Sequence, residues 1–151
     1  MQFSEYLAKT IENASEEKRV IDKLAKKYLE QRILDDIEKR AAKNSLQVII
    51  ENAIGKGKQI LKHYNCPVIP MRGRDVFHFM HEISLIDDAR YDALMKAVGF
   101  RNSMIHDYMN FKEETLFEVL EKRLYDDVID FLMLEPNYSD VLIKRIENFS
   151  F

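Results

Sequence analysis

The amino-acid sequence predicts an all-α fold, on three observations. Only 4 Gly and 3 Pro occur in 151 residues, too few for the many turns of a sandwich or a barrel. Hydrophobic residues make up 46% and charged residues 32%, the balance of long amphipathic helices. Apolar side chains recur at three- and four-residue spacing along nearly the whole chain. The length suits one domain, residues 1–151, with a helical region at 1–30, a core bundle at 33–134 and a short terminal helix within 137–151.

Phe3, Tyr6, Leu7 and Ile11 form a first helical stripe, and Val20, Ile21, Leu24 and Tyr28 a second. Between them Ser15 followed by Glu16 and Glu17 reads as a capped helix start with acidic residues in its first turn, so a break is expected near Ser15. The longest element spans about 33–64, with Leu34, Ile37, Leu46, Ile49, Ile50, Ile60 and Leu61 on one stripe. Gly55 and Gly57 weaken it by roughly 1 kcal/mol each relative to Ala, which a close helix crossing there would explain. Pro67 and Pro70 end it.

A helix at about 75–83 carries Val76, Phe77, Phe79, Met80 and Ile83 on so broad a face that more than one side must be buried. Asp87 and Asp88 cap the next helix, whose stripe is Leu94, Ala97, Val98, Met104 and Ile105. Asn110 with Glu113 three residues later reads as a capping-box variant opening a helix through Leu116, Leu120, Leu124, Val128 and Leu132, which Pro136 stops. Ser139 then opens a short helix to about residue 148, with Leu142, Ile143 and Ile146 as its packing face.

The net charge of −3 excludes a protein that coats nucleic acid by bulk electrostatics. The charge is divided unevenly: residues 1–75 carry +4 and residues 76–151 carry −7. Lys56, Lys58 and Lys62 lie in the basic half and read either as contacts to an RNA backbone or as a solvated face. The start of the chain lacks a basic segment followed by an apolar core, and no apolar run approaches the roughly 18 residues of a membrane span, so a cytoplasmic location is expected. Cys66 is the single cysteine, which excludes an internal disulfide and a thiolate zinc site. His63, His78 and His81 have no carboxylate pair at ligand spacing and read as structural or surface residues.

The informative stretch is Arg101-Asn102-Ser103-Met104-Ile105-His106-Asp107-Tyr108, at the C-terminal end of a helix. Arginine and histidine without acidic metal ligands suit cleavage of RNA by its own 2′-hydroxyl. Histidine exchanges protons near neutral pH, and the permanently charged, planar guanidinium holds the phosphate and the charge that builds on it. No metal and no cofactor are needed. An arginine followed by histidine at this range also occurs at Arg72 to His78 and at Arg74 to His81. Requiring Asn after the Arg and Tyr two after the His leaves only 101–108, against a chance expectation of roughly 0.0005.

On an ideal helix Arg101, Ile105 and Tyr108 fall within about 60° of one another, on the face of Leu94, Ala97 and Val98, so something anionic or a second chain should satisfy Arg101. His106 lies about 140° around from Arg101. The two converge on one ligand only where the helix ends or where a dimer brings Arg101 and His106 from two chains into one cleft. Asn102, four residues before His106, is placed to orient the imidazole.

Gly99-Phe100-Arg101-Asn102 with Ile105-His106-Asp107-Tyr108 resembles the Arg-Asn-x-x-x-His-x-Tyr signature of HepT-like HEPN toxins. Leu46-Gln47-Val48-Ile49-Ile50-Glu51 is similar to that family's Leu-Gln-x-x-Ile-Glu helix, and the resemblance runs from about residue 33 to 134. It implies a HEPN-type up-and-down helical bundle that forms a homodimer. It also implies a metal-independent endoribonuclease toxin of a type VII-like toxin–antitoxin pair, neutralised by an MNT-type nucleotidyltransferase antitoxin. Carried over residue by residue, Arg101 and His106 are the catalytic pair, Asn102 and Tyr108 supporting RNA-binding residues, and Tyr108 the adenylylation target. Some relatives with this fold are binding modules for a nucleotidyltransferase or a nucleotide, the second reading of the same site.

Overall fold

The computed structural model describes residues 1–149, so the last two positions of the expected 137–151 segment lie outside it. Seven α-helices and no strand occur among the described residues: α1 (Phe3–Gln31), α2 (Asp36–His63), α3 (Gly73–Glu82), α4 (Asp88–His106), α5 (Glu113–Glu121), α6 (Asp126–Met133) and α7 (Asp140–Glu147). No helix among the described residues is long and apolar enough to cross a membrane.

α2 is the centre of the bundle, packing against α1, α3, α4 and α6, while α5 and α6 lie along α1. A full capping box fixes its start: Glu38 N–H donates to Asp35 Oδ1 at 2.8 Å and Asp35 N–H to Glu38 Oε1 at 2.9 Å. Its buried residues Leu46, Ile49, Ile60 and Leu61 meet Ile21 of α1, Phe77 and Met80 of α3, Leu94 and Val98 of α4, Leu116 of α5, Phe131 of α6 and Ile146 of α7 in one core.

The break expected at Ser15 does not exist; α1 runs unbroken for 29 residues. The Ser15 hydroxyl donates back to the Ile11 carbonyl at 3.0 Å, so it is satisfied inside the helix instead of capping a new one. What looked like a gap in the apolar stripe is a close-contact seam with α2. Thr10 and Ala14 are buried there, Asn52 Nδ2 donates to Asn13 Oδ1 at 2.7 Å, and the Ser45 hydroxyl reaches the Glu17 carbonyl at 3.4 Å.

The single helix expected through Leu116 and Leu132 is instead two, joined at an elbow where Arg123 adopts φ 52°. Leu116, Leu120, Leu124, Val128 and Leu132 are four residues apart, and a four-residue repeat drifts about 40° per step on a helix of 3.6 residues per turn. A straight helix would carry the later residues round toward solvent. The elbow resets them: Leu116, Leu120, Val128 and Leu132 are buried, and only Leu124, at the bend, is exposed. A left-handed conformation costs a non-glycine residue roughly 1–2 kcal/mol, and Arg123 is held there by Asp126 at 2.9 Å and by Asp22 of α1 at 2.9 Å. The Tyr125 hydroxyl also donates to Asp22 at 3.0 Å. Partial burial pushes the Asp22 carboxyl upward, but the hydrogen bonds from Lys18 and Tyr125 and the charge of Arg123 outweigh it and hold it below the usual carboxylate range.

The start expected at Asn110 for the first of these two helices also differs. α5 begins at Glu113 after Lys112, with no side-chain cap, and Asn110 lies in the preceding turn. Ser139 does cap α7, accepting from the Leu142 N–H at 3.3 Å, and Ile146 is fully buried.

Of the two glycines in α2, Gly57 is the one at a close crossing. A Cβ there would lie 2.7 Å from Val76 Cγ1 and 3.3 Å from Met80 Sδ, whereas at Gly55 it would meet only Tyr6 Oη at 3.6 Å. Lys56 corrects a second expectation, because it faces neither RNA nor solvent. Its side chain is fully buried, and Nζ donates to the Phe131 carbonyl at 2.8 Å, to Leu132 at 3.0 Å and to Leu134, tying α2 to the C-terminal end of α6. The negative end of the α6 dipole favours that cation. Burial, with Arg90 adding and Glu135 opposing, nevertheless lowers its pKa to about 8.

Two predictions follow from these contacts. Gly57→Ala gains helix propensity but forces Val76 aside, so a net loss of about 1–3 kcal/mol in chemical denaturation is expected. Most of that loss should vanish in a Val76→Ala background, and a stabilised single variant would contradict the contact. Lys56→Met removes the donor from three carbonyls, of which Phe131 keeps the Leu134 N–H at 3.3 Å, and should cost about 2–4 kcal/mol at pH 7. Because Lys56 releases its proton near pH 8 in the fold and near 10.5 when unfolded, the unfolded state binds more protons between these values. Wild-type stability should therefore rise relative to Lys56→Met across that window, and a constant gap would show that the ammonium is not buried.

Candidate functional site

The site is built at the C-terminal end of α4. Asp87 starts this helix, accepting from the Arg90 N–H at 2.8 Å, and the helix stops after His106 because Asp107 leaves helical geometry at φ −131°, ψ 37°. The following turn is closed by Asn110, which donates from Nδ2 to Asp107 Oδ1 at 2.8 Å and from its backbone N–H to the Asp107 carbonyl at 3.0 Å. Phe111 then packs edge-on against Phe100 of α4, with ring centroids 5.6 Å apart, and lies under the Lys43 ammonium of α2 at 5.3 Å.

Arg101 is half-buried and faces α2. Its Nη2 is 3.2 Å from Glu51 Oε1, and its Nη1 donates to Asn102 Oδ1 at 3.1 Å. The anion required of that face is therefore supplied within the chain, by Glu51. Nε is buried without a hydrogen-bond partner among the described residues. Asn102 differs from its expected role, since its side-chain oxygen holds the guanidinium and makes no hydrogen bond to His106 among the described residues.

His106, the last residue of α4, is exposed, and it alone of the four histidines has no hydrogen-bond, ion-pair or ring partner among the described residues. His63 stacks on Phe3 at 4.0 Å, His78 pairs with Glu82 at 3.3 Å, and His81 pairs with Asp88 at 2.6 Å while stacking on Tyr91 at 4.2 Å. The two competing Arg-to-His spacings thus end on histidines already committed to α4 or to their own helix. Since α4 is continuous from Arg101 to His106, the angular separation of about 140° stands.

Tyr108 lies beyond the helix end and does not share the Arg101 face. Extending an ideal helix past His106 is the source of that error. The residue is 70% exposed, next to Met109 at 81%, so both project from the turn into solvent. Beside α4 lies a recess of about 500 Å3 with walls that include Ile49, Ile50, Ala93, Ala97, Phe100 and Val128. It is mostly apolar. No cluster of three His, Cys, Asp or Glu side chains able to hold a metal occurs among the described residues.

The sequence signature described as Ribonuclease HepT-like matches residues 11–134. The chain belongs to the HepT-like ribonuclease family. The match starts inside α1 and takes in residues 11–31 of that helix, ahead of the resemblance read from about residue 33. Two solved structures are similar to this fold. One is a toxin–antitoxin with AMP-PNP, with TM-score 0.70 and 22% identity over 87% of this chain and 99% of that one. The other is a tri-AMPylated Shewanella oneidensis HEPN toxin in complex with MNT antitoxin, with TM-score 0.70 and 23% identity over 87% and 97%. No curated protein matches the chain.

Sequence reasoning gave Glu51 no role, although Gln47 and Glu51 sit one turn apart on the helix that carried part of the family resemblance. For Lys56 the signal was its position. Ile49, Ala53, Lys56 and Ile60 form a core stripe, and only the residue type argued for the surface.

Proposed function

We propose that this HepT-like chain is a metal-independent endoribonuclease toxin that acts in the cytoplasm as a homodimer, with Arg101 and His106 as its catalytic pair. The observation that carries this reading is the contrast at the end of α4: an arginine fixed by an anion and an amide, followed by the one histidine that has no partner among the described residues and is open to solvent. His106 takes the proton of a ribose 2′-hydroxyl, the 2′-oxygen bonds to the neighbouring phosphorus, and the bond from phosphorus to the 5′-oxygen breaks. The departing oxygen takes a proton from a second histidine or from water, leaving a 2′,3′-cyclic phosphate and a 5′-hydroxyl. Arg101 stabilises the charge that accumulates on the phosphorus oxygens.

A dimer is supported by α4 itself. Of its 19 residues only Leu94 and Val98 are buried within the chain, while Ala97, which lines the apolar recess, and Met104 and Ile105 are left half-covered. Pairing along this helix would bring Arg101 of one chain toward His106 of the other and overcome their separation around the helix.

Purified protein is expected to cleave single-stranded RNA in the presence of a chelator, with Arg101→Ala and His106→Ala each lowering the rate at least 100-fold or so. A mixture of the two inactive variants should regain about a quarter of wild-type activity, since half the dimers are mixed and each contains one intact Arg–His site. Activity retained in both single variants would refute the catalytic pair. An inactive mixture, with subunit exchange confirmed, would place each pair within one chain.

The partner in this reading is an MNT-type nucleotidyltransferase antitoxin that adenylylates Tyr108. The exposed phenol on a turn outside the helix is an accessible nucleophile. Its oxygen attacks the α-phosphorus of ATP and pyrophosphate leaves, which sets a bulky anion beside the Arg101–His106 site. Intact-mass and peptide spectrometry of protein co-expressed with such an enzyme should find AMP on Tyr108. An unmodified Tyr108 would refute this step while leaving the nuclease reading in place.

A further inference from the structure

We propose that Glu51 is a positioning residue for Arg101, holding the guanidinium from the rigid middle of α2 so that two of its N–H groups stay directed at a phosphate. The inference rests on the ribonuclease reading and adds to it a residue outside the motif. Arg101 ends a side chain with four rotatable torsions, only five residues before α4 stops. A group on its own helix cannot fix it against the rest of the fold. Glu51 lies inside the 28-residue α2, and its Oε1 sits 3.2 Å from Arg101 Nη2. The carboxylate is steadied in turn by Gln47, one turn earlier on α2, whose Nε2 donates to the same Oε1 at 3.3 Å.

The donor count shows what this arrangement leaves free. A guanidinium carries five N–H groups: two on each terminal nitrogen and one on Nε. Asn102 takes one from Nη1, Glu51 takes one from Nη2, and Nε is buried without a partner. One N–H remains on each terminal nitrogen, enough donors for a two-point contact to a phosphate. Glu51 touches the arginine and no reacting atom, so its effect passes through Arg101. Both partners are partly exposed, with side-chain exposures of 26% for Arg101 and 42% for Glu51. The ion pair therefore matters for orientation far more than for global stability.

The test compares wild type, Glu51→Ala and Glu51→Gln in the full chain on a single-stranded RNA containing one cleavage site, with the Arg101 guanidinium followed by nitrogen-15 NMR. Glu51→Ala should lower kcat about tenfold, with KM within about twofold and an unchanged melting temperature. Glu51→Gln, which keeps an acceptor oxygen at the same place, should stay within about threefold of wild type. Separate Nη–H signals of Arg101, expected in wild type and Glu51→Gln, should merge in Glu51→Ala. If wild type cleaves and Glu51→Ala matches it in kcat, or if Gln rescues nothing, the positioning role is overturned and the nuclease reading survives. If wild type does not cleave RNA, the nuclease reading fails by itself, and the spectrum alone decides the anchor. Signals already merged in wild type overturn it, and signals lost only in Glu51→Ala uphold it.

Discussion

Burying one ammonium sets how this bundle closes. Lys56 leaves α2 among residues that are entirely apolar or small, and it enters the core only because α6 ends there, with the Leu132 and Leu134 carbonyls open to a donor from outside the helix. A buried cation without partners would be prohibitive. The position of α6 over α2 is therefore tied to that contact, and with it the elbow at Arg123 and the line of α5 along α1. The same stretch of α2 admits α3 at short range, because Gly57 leaves room for Val76 and Met80. Two adjacent residues thus fix one neighbouring helix on each side, and α4 packs against α2, α3 and α6.

The functional consequence lies at the far end of that assembly. Few of the side chains of α4 are buried within the chain, so the helix is positioned by Leu94 and Val98 and stays open along much of its length. Its C-terminal part carries a histidine with no partner among the described residues and, five residues earlier, an arginine reached across from α2. Rigidity comes from α2 and exposure comes from α4. The proposed nuclease reading draws on both, since it requires a cation that is held and a proton-transfer group that is reachable.

Much of the candidate site could be read from the chain order. Arg101, Asn102, His106 and Tyr108 were legible because they fall within eight residues, where spacing and chance expectation can be weighed directly. The placement of Tyr108 on the helix face was wrong, since periodicity does not announce that a turn locked by Asp107 and Asn110 intervenes. Glu51 was present in a recognisable segment but silent, as its partner is fifty residues away and only folding brings them together. Ser15 misled in the opposite way: a residue that favours caps can also satisfy its hydroxyl on the preceding turn, and local sequence does not distinguish the two.

By itself the sequence determined the helical class, most helix limits and the location of the motif at a helix end, because each rests on interactions between residues a few positions apart. The tertiary structure decided which charged groups are inside, where the four-residue repeat breaks between α5 and α6, and which carboxylate holds Arg101. Those outcomes depend on desolvation and on contacts between helices, and neither is set until the chain has folded on itself.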